Sequence, residues 1–168
     1  MLQKQYGRTV LKKCGMLGCK PINILLDRNC KLRAYWGTKI ADVNMYRSMV
    51  GSLVYLTITR SDLSYAVGLV SQLMQQLTKP HLDWIRRILR YIKATVNYGL
   101  FYKAIMDIEL EGYTDADWVW NQTDRRSTSG YVFTLGSATI SWSSKKQATV
   151  ALSSTEAEYR EVAIATCE

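Results

Sequence analysis

The sequence contains one histidine and four cysteines, too few and too scattered for a zinc site. Cysteines at zinc sites come in close pairs, and His81 alone cannot complete a mixed set of ligands. The cysteines stand at positions 14, 19, 30 and 167. We therefore expect reduced thiols in an intracellular protein, cytoplasmic or nuclear.

Long apolar runs are also lacking. No uninterrupted apolar stretch approaches the ~18 residues of a membrane span, and the N-terminus lacks the compact apolar core of a signal peptide. The 168 residues allow one full domain or two partial ones. Eleven tyrosines and five tryptophans argue against a disordered chain. The sequence therefore predicts a globular protein without a membrane partner.

Acidic residues are scarce in the first part of the chain and common in the second. Residues 1–103 contain 17 Lys and Arg against four acids, whereas residues 104–168 contain five against ten. This asymmetry is typical of a protein that binds a phosphate backbone with one part and a cation with the other. The alternative is a generally basic surface with a solvated acidic tail.

Helical periodicity dominates the first part. A short helix is expected to end near Gly15 or Gly18, and an irregular basic connector to follow over 21–45. Apolar residues then recur at three- and four-residue spacing. We place three further helices at Tyr46–Thr57, from Ser61 or Asp62 to about Leu77, and from about His81 to Thr95.

Strand signals dominate the second part. Tyr98–Tyr102 is expected to start the sheet, and Gly136-Ser137 provides the tight turn that an antiparallel hairpin needs. The main strands are predicted at Ile108–Thr114, Gly130–Leu135 and Thr139–Ser143.

Two acidic stretches suggest a cation site. Asp115 and Asp117 end the first strand and share a face, because side chains alternate along a strand. Ser153 and Glu156 have capping-box spacing, so that Glu158 would project from the first turn of a helix. Carboxylates from a strand and a facing helix provide the oxygen ligands that Mg²⁺ prefers. The alternative is that Asp117 and Glu156 are only turn and cap residues.

A basic ridge is predicted on the helix that begins near His81. Arg86, Arg90 and Lys93 lie at i, i+4 and i+7, with almost no balancing acid beside them. We interpret this ridge as a phosphate contact rather than as an ordinary solvated helix face.

Two further basic pairs flank the second and third strands. Arg125 and Arg126 precede a run of hydroxyl residues, a composition that suits phosphate binding, although a solvated loop is nearly as good an interpretation. Lys145 and Lys146 lead from the third strand towards the capped helix. All four are candidate nucleic-acid-binding residues.

Several long motifs, in the same order, resemble the polyproteins of copia-type LTR retrotransposons. YTDADW, RRSTSGYVF and ISWSSKKQATVALSSTEAEY resemble the ribonuclease H region. Upstream, YRSMVGSLVYLTITRSDLSYAV and RRILRYIKATVNYGLFY resemble the segment that joins reverse transcriptase to ribonuclease H. The resemblance implies an α+β chain: a helical connection segment over 1–103, then the first part of a ribonuclease H-like mixed sheet over 104–168, with three antiparallel strands and one helix.

The resemblance also implies a site and a reaction. The family's catalytic aspartate falls on Asp115 and its catalytic glutamate on Glu158, with Asp117 as a further ligand of Mg²⁺ or Mn²⁺. The implied reaction is metal-dependent cleavage of RNA in an RNA–DNA hybrid. Two further aspartates of the family pattern would follow Glu168, and Val119-Trp120 replaces the usual small Ala-Gly pair. We therefore expect a weak ion site and an inactive fragment.

Two other functions remain open. A non-catalytic nucleic-acid-binding remnant is the interpretation that we favour for the isolated chain, together with self-association through an exposed sheet edge. The third class is a secreted effector, which rests on Arg87-Ile88-Leu89-Arg90 matching the Arg-x-Leu-Arg pattern. This match is short and falls inside an amphipathic helix, so we interpret it as accidental.

Overall fold

Helices occupy the first part of the chain and strands the second. A computed structural model of the protein describes residues 3–25, 37–38, 42–74, 77–103, 109–118 and 125–168. Its regular elements are α1 (Lys4–Lys13), α2 (Val43–Leu56), a 3₁₀ turn (Ser61–Leu63), α3 (Ser64–Ser71), α4 (Lys79–Ala94), β1 (Leu110–Asp117), β2 (Thr128–Leu135), β3 (Ala138–Lys146) and α5 (Ser154–Ala165). This order confirms the predicted α+β class. The chain divides into two units, residues 1–99 and 100–168.

The core of the helical unit is built around α4. Pro80 lies in the first turn of α4. A backbone N–H at this position has no acceptor within the helix, so the N–H that proline lacks costs no helical hydrogen bond. The backbone N–H of Thr78 donates to Nδ1 of His81 at 3.2 Å, which satisfies a further group at this end. Apolar positions then bury one stripe of α4 against α1, α2 and α3. The buried residues of α4 are His81, Leu82, Trp84, Ile85, Ile88, Leu89 and Ile92.

The three strands form an antiparallel sheet in the order β1-β2-β3. Leu135 pairs with Ala138 across a tight turn in which Gly136 has φ +56°, a conformation that glycine adopts without strain. The predicted hairpin is thus confirmed; β1 and β3 end three residues later than predicted, whereas β2 ends at Leu135 as predicted and begins two residues earlier. β2 is the central strand, and β1 and β3 are the edges of the described sheet.

Small side chains join α5 to the sheet. Ala116 of β1, Ala151 in the segment before α5 and Ala157 of α5 form one buried cluster. Beside it, the buried Gln147 side chain donates to Oγ of Ser129 at 2.7 Å and to the Ala157 carbonyl at 2.9 Å. One amide side chain therefore links the end of β3, the start of β2 and the first turn of α5.

Two sequence predictions about element ends are wrong. The segment expected to start the sheet forms no strand, because the Tyr98 ring instead lies 5.8 Å from the Arg60 guanidinium in the helical unit. α3 ends at Ser71, whose hydroxyl donates to the Gly68 carbonyl at 2.7 Å, so the buried Leu77 lies outside any helix.

Several predictions fall on residues outside the described ranges. They concern the strand start at Ile108, the Val119-Trp120 pair, Cys30 and most of the 21–45 connector. Within the described ranges, no helix is both long enough and apolar enough to cross a membrane.

Candidate functional site

Predicted site residues from two strands lie at one end of the sheet. The register pairs Asp117 of β1 with Thr128 of β2, and Thr128 with Lys146 of β3. Two positions back along β1, Asp115 pairs with Gly130. Neighbouring strands lie about 4.8 Å apart, so the backbones at Asp117 and Lys146 are separated by roughly 10 Å. Carboxylates and a lysine therefore share this end of the sheet.

The two aspartates lie together on one face of β1. Ala116, between them, belongs to the buried cluster under α5. Because side chains alternate, Asp115 and Asp117 lie on the face away from α5. Partial burial, and to a lesser extent the Asp115 carboxylate, raises the pKa of Asp117 above its ordinary value. The pair therefore favours a compensating positive charge, whether a proton or a cation.

The first turn of α5 carries the predicted glutamate. Oγ of Ser153 accepts from the Glu156 N–H at 3.1 Å, which confirms the predicted N-cap. The Glu156 carboxylate accepts from the Leu152 N–H at 2.7 Å and pairs with Arg160 at 2.6 Å. These contacts, the Leu152 N–H first, lower the pKa of Glu156. Glu156 is therefore part of the helix cap, whereas the Glu158 side chain is exposed to solvent.

The described residues do not assemble a complete metal site. In this part of the chain, no three His, Cys, Asp or Glu side chains are grouped so that they could hold an ion. Asp115 and Asp117 share one face of β1, whereas Glu158 belongs to a helix packed against the other face. Their oxygen atoms suit Mg²⁺ or Mn²⁺ chemically. Among the described residues, the set of metal ligands is therefore incomplete.

Four basic residues gather at the same end of the sheet as the aspartates. Lys145 and Lys146 pair with the first two residues of β2, which follow Arg125 and Arg126 closely in the chain. Arg125 has φ +54°, an uncommon conformation for a residue other than glycine. Lys145 and both arginines are exposed. The hairpin thus unites two basic pairs that are about twenty positions apart in the sequence.

The predicted ridge on α4 binds other parts of the protein itself. Arg86 forms an ion pair with Asp83 at 3.1 Å. Arg90 and Lys93 donate to backbone carbonyls within residues 17–20, at 2.6–2.7 Å. Whether the ridge also contacts phosphate stays a prediction.

The Arg-x-Leu-Arg run is part of the folded helix. Ile88 and Leu89 are fully buried, and Nε of Arg87 donates to the Leu25 carbonyl at 3.1 Å. Sequence reasoning missed this contact of Arg87. No sequence signal could have identified it, because every residue carries a backbone carbonyl.

Comparisons with known proteins find relatives over nearly the whole chain. The Retrovirus-related Pol polyprotein from transposon RE1 of Arabidopsis thaliana is 47% identical over 161 residues, which is 96% of this chain and 11% of that protein. An uncharacterized mitochondrial protein of the same plant is 42% identical over 167 residues, 99% of this chain and 69% of that protein. Secreted RxLR effector protein 161 of Plasmopara viticola is 48% identical over 124 residues, 73% of this chain and 87% of that protein.

The match to the Pol polyprotein covers both units of this chain. The chain spans 11% of the length of that polyprotein. No family model matches the chain, and no solved structure matches it.

Proposed function

Because this chain belongs to the copia-type retrovirus-related Pol polyproteins of transposons, we propose that its residues 110–165 form part of a ribonuclease H region. In this proposal, the basic end of the sheet binds the phosphate backbone of an RNA–DNA hybrid. Asp115 and Glu158 contribute to metal-dependent cleavage of the RNA strand by the longer polyprotein. The observation that carries the proposal is the strand register, which aligns Asp117 with Thr128 and Thr128 with Lys146, so that Asp117 and Lys146 lie on one face at the same end of the sheet.

The charges at this end of the sheet suit a nucleic-acid backbone. Lysine and arginine bind phosphate through charge-assisted hydrogen bonds. Binding releases counterions and therefore weakens as salt rises. Bound divalent ions would supply an activated water and neutralise the leaving oxygen. In this proposal, the chain holds carboxylates at the same end of the sheet as the basic residues that bind the phosphate backbone of the nucleic acid.

We expect the chain on its own to bind a hybrid without cleaving it. The described residues bring no three potential metal ligands together, and a two-metal site needs more carboxylates than one strand and one helix offer here. The test is incubation of a labelled RNA–DNA hybrid with the chain and Mg²⁺ or Mn²⁺. Cleavage that disappears in Asp115→Asn would show that the chain holds a complete site.

The binding test is the salt dependence of hybrid affinity. Each phosphate contact contributes about −0.9 to the log–log slope, so Lys145→Gln with Lys146→Gln should flatten it by about two. The matched control replaces Lys12 and Lys103, which are exposed and lie outside the sheet. An equal effect of both pairs would show that only net charge matters and would contradict a site at the sheet end.

A purely nucleic-acid-binding role is the second candidate. Residues 1–103 contain 17 Lys and Arg but four acids, and this net positive charge favours nucleic-acid binding. A secreted effector role would rest on the name of one relative and on the Arg-x-Leu-Arg run. In this chain, that run supplies buried apolar residues and bonds to backbone carbonyls, which argues against its use as an exposed signal.

A further inference from the structure

Residues 17–25, called the strap below, lie along the basic side of α4 and run in the opposite direction. Near the end of α4, Nζ of Lys93 donates to the carbonyls of Leu17 and Cys19, both at 2.6 Å. One turn earlier, Nε of Arg90 donates to the Lys20 carbonyl at 2.7 Å. A further turn back, Nε of Arg87 donates to the Leu25 carbonyl at 3.1 Å. The strap thus occupies three cationic side chains in succession.

Among the described residues, the middle of the strap makes few contacts outside α4. Leu25 and, just before the strap, Met16 pack partly against the core and anchor the two ends. Between them, Ile24 is 67% exposed, and the Ile22 N–H donates to the Arg90 carbonyl at 3.4 Å. Gly15, with φ +67°, provides a turn just before the strap. Hydrogen bonds to α4 are therefore the main contacts that hold the middle of the strap.

The acceptors on the strap are neutral carbonyl oxygens, whereas a phosphate oxygen is anionic. Arginine and lysine are cationic with either acceptor, but a phosphate oxygen adds a negative charge opposite them, and arginine can bind phosphate through two parallel hydrogen bonds, a geometry that a single carbonyl cannot offer. Arg87, Arg90 and Lys93 follow one another at three-residue spacing, which puts them about 4.5 Å apart along the helix axis. They form a short line of positive charge.

We propose that the strap is a displaceable cover over a second nucleic-acid-binding surface. Phosphates of a nucleic-acid backbone compete with the strap carbonyls for Arg87, Arg90 and Lys93, and binding lifts the middle of the strap away from α4. This surface belongs to the helical unit and is separate from the sheet end of the proposed function. It also goes beyond the predicted ridge, because Arg87 replaces Arg86, which is paired with Asp83.

Hydrogen exchange tests the proposal, because ligand binding should here increase exchange instead of slowing it. The experiment uses the full chain carrying Lys145→Gln and Lys146→Gln, so that the sheet end contributes little, and a short RNA–DNA hybrid as the probe. We expect faster deuterium uptake in residues 17–25 when the hybrid is bound, with the Ile22 amide among the affected groups.

The outcomes separate this proposal from the proposed function. Hybrid binding with unchanged or slower uptake in the strap overturns the strap proposal alone. Binding by the unsubstituted chain but not by the Lys145→Gln, Lys146→Gln chain also overturns it, and leaves the sheet-end site supported. Absence of binding by both chains overturns both proposals.

Variants of α4 provide a second measurement. In the same background, Arg90→Met with Lys93→Met should raise strap uptake before hybrid is added and flatten the salt slope by about two. The matched control is Arg86→Met, which removes a charge from the same helix; in the described part of the chain, Arg86 pairs with Asp83 and with no strap residue. If Arg86→Met changed strap uptake and the salt slope as much as Arg90→Met alone or Lys93→Met alone, the proposal would be overturned.

Discussion

Arg60 binds both carboxylate oxygens of Asp62, with Nε to Oδ1 at 2.8 Å and Nη2 to Oδ2 at 2.7 Å. The guanidinium also donates to the carbonyl and the hydroxyl of Thr95, at 3.0 and 2.7 Å. The rings of Tyr91 and Tyr98 lie within 6 Å of its central carbon. A buried arginine thus ties the 3₁₀ turn to the end of α4.

We expect Asp62→Asn to destabilise the helical unit. Removing one partner of a fully buried ion pair costs about 3–5 kcal/mol, but the Asp62 side chain is 35% exposed and solvent screens it, so we expect a loss of about 2 kcal/mol. Urea denaturation measures the loss. The control is Asp83→Asn, which breaks an exposed pair with Arg86 and should cost less than about 1 kcal/mol. Equal losses would contradict a structural role for the Arg60 pair.

Tyr46→Phe should change stability in a pH-dependent way. The Tyr46 hydroxyl donates to the Val70 carbonyl at 3.0 Å, so its loss should cost about 1 kcal/mol at neutral pH. Burial raises the pKa of Tyr46 in the folded state. The unfolded chain therefore loses this proton first, and the advantage of the tyrosine falls as pH rises above about 10.

Denaturation at pH 7 and pH 11 checks this expectation. The difference between the native chain and Tyr46→Phe should shrink or reverse at the higher pH. Tyr159→Phe is the control, because Tyr159 is 74% exposed, and it should change stability little at either pH. A constant difference for Tyr46→Phe would be evidence against the proton linkage.

Asp117→Asn should stabilise the sheet unit at neutral pH. Since burial and Asp115 raise the pKa of Asp117, its contribution to stability is present below the unfolded pKa of about 4 and is lost as pH rises through the folded value. The melting temperature of Asp117→Asn should exceed that of the native chain at pH 7 and match it near pH 3. Asp115→Asn, which removes the neighbouring charge, should give a smaller gain of the same sign. A gain that persists at pH 3 would exclude this electrostatic cause.

We expect the chain to self-associate through β1. This strand lies at the edge of the described sheet and exposes every residue except Ala116. The unpaired backbone N–H and C=O groups of an edge strand can pair with a strand of another chain, and a lysine on the edge strand opposes this pairing. Tyr113→Lys should therefore shift size-exclusion elution towards monomer, whereas Tyr159→Lys on α5 should not. A native chain that elutes only as monomer would refute the expectation.

Local signals were sufficient to predict α4, the hairpin and the cap of α5. The apolar stripe and Pro80 specify α4 within a few residues, Gly136 specifies the turn, and Ser153 with Glu156 specifies the helix start. Each signal acts between residues that are close in sequence, and such signals can be recognised without the rest of the fold.

Contacts between distant segments could not be predicted. Gln147 lies between two basic residues and two small ones, and nothing in that context reveals that its amide bridges β2 and α5. Similarly, Arg90 and Lys93 have the spacing of a solvated basic ridge, but their acceptors are backbone carbonyls some seventy residues earlier. The α3 end at Ser71 was missed because apolar periodicity continues beyond it.

The interface of Ala116, Ala151 and Ala157 determines where the chain opens first. Each alanine side chain buries little apolar surface, whereas the core of the helical unit buries the larger side chains of leucine, isoleucine and tryptophan. Undocking of α5 should therefore cost less free energy than opening α4, and the hydrogen bond from the Gln147 amide to the Ala157 carbonyl is one of the polar contacts that oppose it. Transient undocking would make residues 147–153 the preferred site of proteolytic nicking while the helical unit remains folded.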